Sequence, residues 1–167
     1  MDILEYFIRE PKREFHVREL AKLAKKSPTT ISKYLKEQSK KEILSSEEKL
    51  NHLLFKANLE NKEYIYTRLI RLIAMIKQSG LLDYLENKLN SPEAIVLLDK
   101  IDSIELIAIS PAKHSASIKR YEDSIGIQIK LSSYSHQELN NMMISNKELL
   151  NDITNGITIY GSLKLFK

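Results

Sequence analysis

The sequence predicts an α+β fold, and three observations predict it. Apolar residues recur at helical spacing through the first 41 positions, broken at Pro11 and again at Ser27-Pro28. A long helical run follows from Lys62 to Ser79, and beyond Pro92 short runs rich in β-branched residues alternate with helical stretches. At 167 residues, with 43% hydrophobic and 29% charged, the chain has enough apolar material for a sizeable core, which argues against a mainly disordered chain. No run approaches the ~18 uninterrupted apolar residues of a membrane span. The opening MDILEYFIREPKREF lacks a basic segment followed by an apolar one, so no secretion signal is expected. Cysteine is absent, which removes disulfides, thiolate metal sites and cysteine nucleophiles and fits a cytoplasmic location.

Ile3, Leu4, Phe7 and Ile8 predict a first helix from about Asp2 to Arg9, stopped by Pro11. Glu14 to His16 reads as a short extended stretch. Val17, Leu20, Ala21, Leu23 and Ala24 give a second amphipathic helix ending near Lys25 or Lys26. Ser27 reads as an N-cap with Pro28 at the first helical position, where a missing N–H loses nothing, and a third helix continues to about Glu37. Glu42 to Ser46, a polar turn at Glu47 to Asn51, and His52 to Asn58 read as a hairpin.

In the long helix Ile65, Leu69, Leu72, Ile73 and Ile76 share a face while Ile70, Ala74 and Met75 fall on others, so burial on more than one side is expected. Gly80 suits a helix C-cap, a shorter helix spans Leu81 to Leu89, and Asn90-Ser91-Pro92 marks a boundary. Ala94 to Leu98, Ile104 to Ile109 and Ile127 to Tyr134 are strand candidates. Helices are expected from about Ser115 to Ser124, Ser135 to Met143 and Asn146 to Thr154, before a final apolar segment from Ile157 to Phe166. The expected organisation is 1–60, then linking helices over 61–90, then a small mixed sheet with flanking helices over 91–167.

Charge is unevenly placed. Residues 12–41 hold 10 Lys+Arg against 3 Asp+Glu, whereas residues 91–167 hold 8 against 9. A basic segment of this density suits a polyanion. A helix, a tight turn, a second helix and a hairpin form the layout of a winged helix-turn-helix, in which one helix enters the major groove and the hairpin lies along the backbone. At 100° per residue Ile31, Tyr34 and Leu35 share one face of the third helix, leaving Thr29, Lys33 and Lys36 opposite, with Thr30 and Ser32 at the margins. Hydroxyls reach base edges or phosphates and lysines neutralise phosphates. Arg18, Lys26, Ser27, Lys49, Asn51, His52 and Lys56 complete the candidate contacts, Ser27 having capping as its structural alternative. The outward face of that helix has no arginine, asparagine or glutamine, so no bidentate base reader is identified. Double-stranded DNA is the expected partner, with a homodimer and a protein partner on the C-terminal domain as further expectations; the long helix is read either as packing between the two domains or as a two-fold interface, and no membrane is expected.

The second half offers little chemistry. Asp99, Asp102 and Glu105 invite a Mg²⁺ reading, but in an extended segment Ser103 and Glu105 share a face while Asp102 points away, and no phosphate-cradling glycine lies nearby. His16, His52, His114 and His136 are scattered, without ligand spacing or a Ser/His/Asp grouping. No metal site, cofactor or catalytic set is expected.

Five segments, in order, carry a resemblance: FHVRELAKLAKKSPTTISKYLKE, FKANLEN, SGLLDYLE, SPEAIVLL and NGITIYG. Over nearly its whole length the chain resembles a family of mostly archaeal proteins joining an N-terminal winged helix to a minimal nucleotidyltransferase-like domain of the polymerase-beta superfamily. The resemblance implies a Gly-Ser after the first strand and two aspartates, one residue apart, on the next. Here Leu98-Asp99-Lys100 stands at the first place, and Ser103 and Glu105 stand at the aspartates, so it implies a retained fold with a degenerate site. The leading reading is a DNA-binding regulator whose C-terminal domain dimerises or binds a partner or ligand. Its alternatives are a nucleotidyltransferase working through Glu105 with Asp102 or Asp99, recruited by its DNA-binding domain, and an antitoxin-like interaction module.

Overall fold

The computed structural model describes residues 2–49, 52–111 and 116–164. The chain is α+β and divides into two compact units, Met1–Leu72 and Ile73–Lys167. The first contains α1 (Ile3–Arg9), β1 (Phe15–His16), α2 (Val17–Ala24), α3 (Pro28–Lys40), β2 (Leu44–Lys49) and β3 (His52–Ala57); α4 (Lys62–Gln78) begins in this unit and ends in the second. The second continues with α5 (Leu81–Lys88), β4 (Ala94–Asp99), β5 (Ser103–Ile109), α6 (Lys119–Ile125), β6 (Gln128–Tyr134), α7 (His136–Ser145), α8 (Lys147–Asn155) and β7 (Ile157–Gly161). Among the described residues no helix is long and apolar enough to cross a membrane.

In the first unit three strands form an antiparallel sheet in the order β1-β3-β2, with Phe15 opposite Phe55. The Phe7 and Phe15 rings meet edge to face at 5.1 Å, and Phe7, Phe15, Phe55, Leu20, Ile31, Leu35 and Leu44 are buried. Asp2 caps α1 by accepting from the Leu4 N–H and also pairs with Arg71 of α4 at 2.6 Å. At the other end of α1 the carbonyl of Phe7 faces a gap in the donor series, because the residue four positions on is Pro11, which has no N–H. Tyr64 fills it, its hydroxyl donating to Phe7 O at 2.9 Å, and the Arg68 guanidinium donates to Ile8 O.

This changes the face that α4 buries. Tyr64, Arg68, Leu72 and Ile76 are the buried stripe, at i, i+4 spacing, and the expected Ile65 is exposed. Leu69, Ile73, Ala74 and Met75 beside that stripe are half-buried, and Ile70 is exposed. Apolar periodicity overlooks two polar side chains drawn inward by backbone acceptors. The hairpin differs too: the turn expected over Glu47 to Asn51 is shorter, because β2 runs to Lys49, with Glu47 opposite Leu54, Glu48 opposite Leu53 and Lys49 opposite His52. β2 is an edge strand, where charged side chains are tolerated and discourage further pairing.

The second unit is built on a mixed sheet in the order β6-β5-β4-β7, with β5 and β6 parallel and the other pairs antiparallel. The central strands β4 and β5 read as almost continuous apolar runs because both of their faces are buried. On one face Val96, Leu98, Ile107 and Ile109 pack with Leu139 and Met142 of α7 and Ile153 of α8. A capping box of Ser135 and Glu138 starts α7, and the Asn146 side chain starts α8. Helix α6 begins at Lys119, later than the expected Ser115, which lies outside the described residues; Ser117 ahead of it is a weak helix former. Of the final apolar segment, Ile157–Gly161 is β7, and residues 165–167 lie outside the described residues. Gly161 is required: its φ is 66°, and a Cβ there would sit 2.0 Å from Glu93 O.

Tyr64→Phe tests the tie between α4 and α1. It leaves the Phe7 carbonyl without its donor and is expected to lower unfolding free energy by about 1–3 kcal/mol in urea titration. A loss within error would mean that water or another donor takes over.

Candidate nucleic-acid interface

Helices α2 and α3 are joined by Lys25-Lys26-Ser27. Lys25 adopts left-handed backbone (φ 52°, ψ 43°), and the Lys26 N–H reaches back to Ala21 O at 3.0 Å, the hydrogen bond of a Schellman turn formed here without glycine. At its own start α2 is capped by His16, whose Nδ1 accepts from the Glu19 N–H at 3.2 Å, a role that the extended reading of His16 missed. Ser27 caps α3 by accepting from the Thr30 N–H at 3.1 Å, and its hydroxyl shares a 2.8 Å hydrogen bond with Thr30 Oγ1. Both hydroxyls are exposed but already occupied in starting the helix.

Helix α3 turns Ile31 and Leu35 fully inward with Tyr34 half-buried beside them. Its one amide side chain, Gln38, is also buried. Thr29, Lys33 and Lys36 are exposed, and Ser32 is half-buried at the margin. The helix runs three residues past the expected end at Glu37, which adds Lys40 to the same stripe: relative to Lys33, residues 29, 36 and 40 all fall within about 60° at 100° per residue. The signal for that last turn was present as Glu37 followed four residues later by Lys41, which pair at 2.8 Å. Lys41 holds the Glu37 carboxyl below its ordinary range and takes up the one carboxylate flanking the stripe. Lys33, Lys36 and Lys40 make no ion pair among the described residues, and neither do Arg18, Lys22, Lys25 and Lys26. No acidic residue occupies the first turn of α3, so the positive end of its dipole stands uncompensated beside Lys25 and Lys26.

The hairpin is electrostatically different. Lys49 is paired with Glu14 at 2.7 Å and Glu47 at 3.2 Å, and those carboxylates raise the ammonium above its usual value. Glu48 is exposed nearby, and Lys56 is exposed and close enough to help lower Glu14. His52 is exposed, its ring stacked on that of His16 at 6.3 Å, a neighbourhood that their separation in sequence had hidden. Asn51 lies outside the described residues, as does His114.

In the second unit Glu105 is buried beneath the sheet face. Its Oε1 accepts from Lys130 Nζ at 2.8 Å and from Ser132 Oγ at 2.9 Å, both from the neighbouring parallel strand. The carboxylate in turn raises the Lys130 ammonium. Ser103, two residues away, is half-buried; the Asp99 carboxylate accepts from the Ile101 N–H within the β4–β5 turn, and Asp102 is exposed. Among the described residues no three metal-binding side chains gather. No protein-family model, curated protein or solved structure matches this chain.

Burial, and after it the charge of Asp2, pushes the Tyr34 hydroxyl up to about 12 from an ordinary 10.0. A group whose value is raised in the folded chain contributes stability fully below its unfolded value and loses it as pH rises through the folded one. Stability is therefore expected to fall from pH 10 to 12, with a shallower fall in Tyr34→Phe, read from denaturation midpoints across that range. An equal slope in both proteins would mean that the Tyr34 phenol is hydrated in the folded chain.

Proposed function

We propose that the first unit is a winged helix-turn-helix that binds double-stranded DNA, with α3 as the groove helix, and that the second is a nucleotidyltransferase-like domain serving partner or ligand binding without transfer chemistry. The observation that carries the first half is the stripe Thr29, Lys33, Lys36 and Lys40, exposed on a helix whose opposite face is anchored by Ile31 and Leu35, with no ion pair among the described residues to spend its charge. Unpaired lysines on a rigid element release counterions when they meet phosphates, and the positive end of the α3 dipole adds to their field, although Pro28 has no N–H and Ser27 already takes that of Thr30. Backbone affinity then exceeds base discrimination, because hydroxyls and lysines fix position more than they read edges. The hairpin, with Lys49 neutralised and Glu47 and Glu48 exposed, contributes less, through Lys56 and His52.

For the second unit, the support is Glu105. Its carboxylate is satisfied by Lys130 and Ser132 from the same sheet, so a cation is already supplied by the chain, and its companion position is the neutral Ser103. A two-metal clamp needs carboxylates free to bridge ions.

Fluorescence anisotropy of the full chain with duplex DNA across a salt series tests the DNA reading. The wild type is expected to lose affinity steeply with salt, and Lys33→Ala/Lys36→Ala/Lys40→Ala to lower the slope of log K against log salt by about 2–3. Absence of salt-sensitive binding by the wild type at low salt would overturn it.

A further inference from the structure

Helix α4 carries a second apolar stripe on the side away from its buried one. With Ile70 as origin at 100° per residue, Tyr64, Arg68, Leu72 and Ile76 centre on about 180°, whereas Tyr66, Ile73 and Ala74 fall within about 60° of Ile70. Ile70 is 68% exposed and Tyr66 58%, with Ile73 and Ala74 half-buried. Glu63 and Lys77 lie on the same line, one at each end, both exposed and without an ion pair among the described residues. The positions 63, 66, 70, 73/74 and 77 alternate by three and four, the spacing of a seam between two helices. Ile70 is midway between the two charges, and the line between them is about 21 Å long.

We infer that this stripe is the interface with a second copy of the chain, α4 packing antiparallel on α4 about a two-fold axis at Ile70. In that register residue i meets residue 140 − i of the other copy. Glu63 then faces Lys77 at both ends, the Tyr66 ring lies over the small Ala74, and the two Ile70 side chains meet on the axis. A parallel pairing would set Glu63 against Glu63 and Lys77 against Lys77 and would align the two helix dipoles, so the charges select the antiparallel arrangement. A two-fold interface is self-complementary by construction, which suits a stripe whose halves are complementary about its centre. The inference goes beyond the DNA reading and stands without it.

The test uses the full chain without DNA. Sedimentation equilibrium is expected to give twice 19.4 kDa for the wild type and a monomer for Ile70→Lys, an exposed position where folding is not at stake. Glu63→Lys is expected to weaken association about tenfold, and Glu63→Lys/Lys77→Glu to restore it. The chain has no cysteine, so a mixture of Glu63→Cys and Lys77→Cys proteins is expected to form a disulfide-linked dimer that neither forms alone. A wild-type monomer at every concentration reached, a charge reversal that does not rescue, or cross-linking of Glu63→Cys with itself would each overturn the inference; a mixed complex with another protein in place of the dimer would as well.

Discussion

Proline at position 11 sets the terms for the first unit. It stops α1 and removes the N–H that the Phe7 carbonyl would otherwise meet, and a buried acceptor left without a donor costs about 1–3 kcal/mol. The donors arrive from far along the chain, as Tyr64 and Arg68 of α4. Their inward placement fixes the rotation of α4 about its own axis, and residue 70 lies about 200° around the helix from residue 68. Ile70 therefore faces outward because Arg68 faces inward. The exposed apolar stripe is a geometric consequence of how α1 ends.

The two units treat charge in opposite ways. In the first, carboxylates neutralise the periphery, with Arg13 held by Glu10 and Glu19, Lys41 by Glu37 and Lys49 by Glu14 and Glu47, and the lysines along α3 are left unpaired. In the second, the one buried carboxylate of the sheet face is met by a lysine on the adjacent strand. Charge left unpaired at the surface is available to a polyanion at little desolvation cost. The buried Glu105 carboxylate is committed to the fold, since removing the exposed Lys130 that reaches it would take away its neutralising charge.

What the sequence made legible was local. Ser27-Pro28 signals the start of α3 through short-range chemistry, and apolar runs with β-branched residues mark the central strands because burial on both faces disfavours polar residues, Glu105 being the buried exception. What it hid depended on partners distant in the chain. Tyr64 and Arg68 interrupt the apolar periodicity of α4, so counting hydrophobic residues rotated the helix to bury Ile65. The charged end of β2 resembled a turn until its pairing with β3 defined it. His16 is extended, as its sequence reads, but its capping of α2 depends on where the imidazole sits, which the extended reading does not give. The meeting of Glu105 with Lys130 follows from the parallel register of β5 and β6, which no local pattern encodes.

The turn between α2 and α3 places a lysine where glycine would be the less strained choice. Left-handed backbone costs a residue with a Cβ roughly 1–2 kcal/mol, and Lys25, exposed two positions before the Ser27 cap of α3, bears that strain. Under the DNA reading this is a trade between fitness for binding and thermodynamic robustness. The sturdier variant of this chain, with glycine at that position, would give up one exposed cation of the turn that leads into α3. Selection for stability alone would have had little reason to retain the lysine.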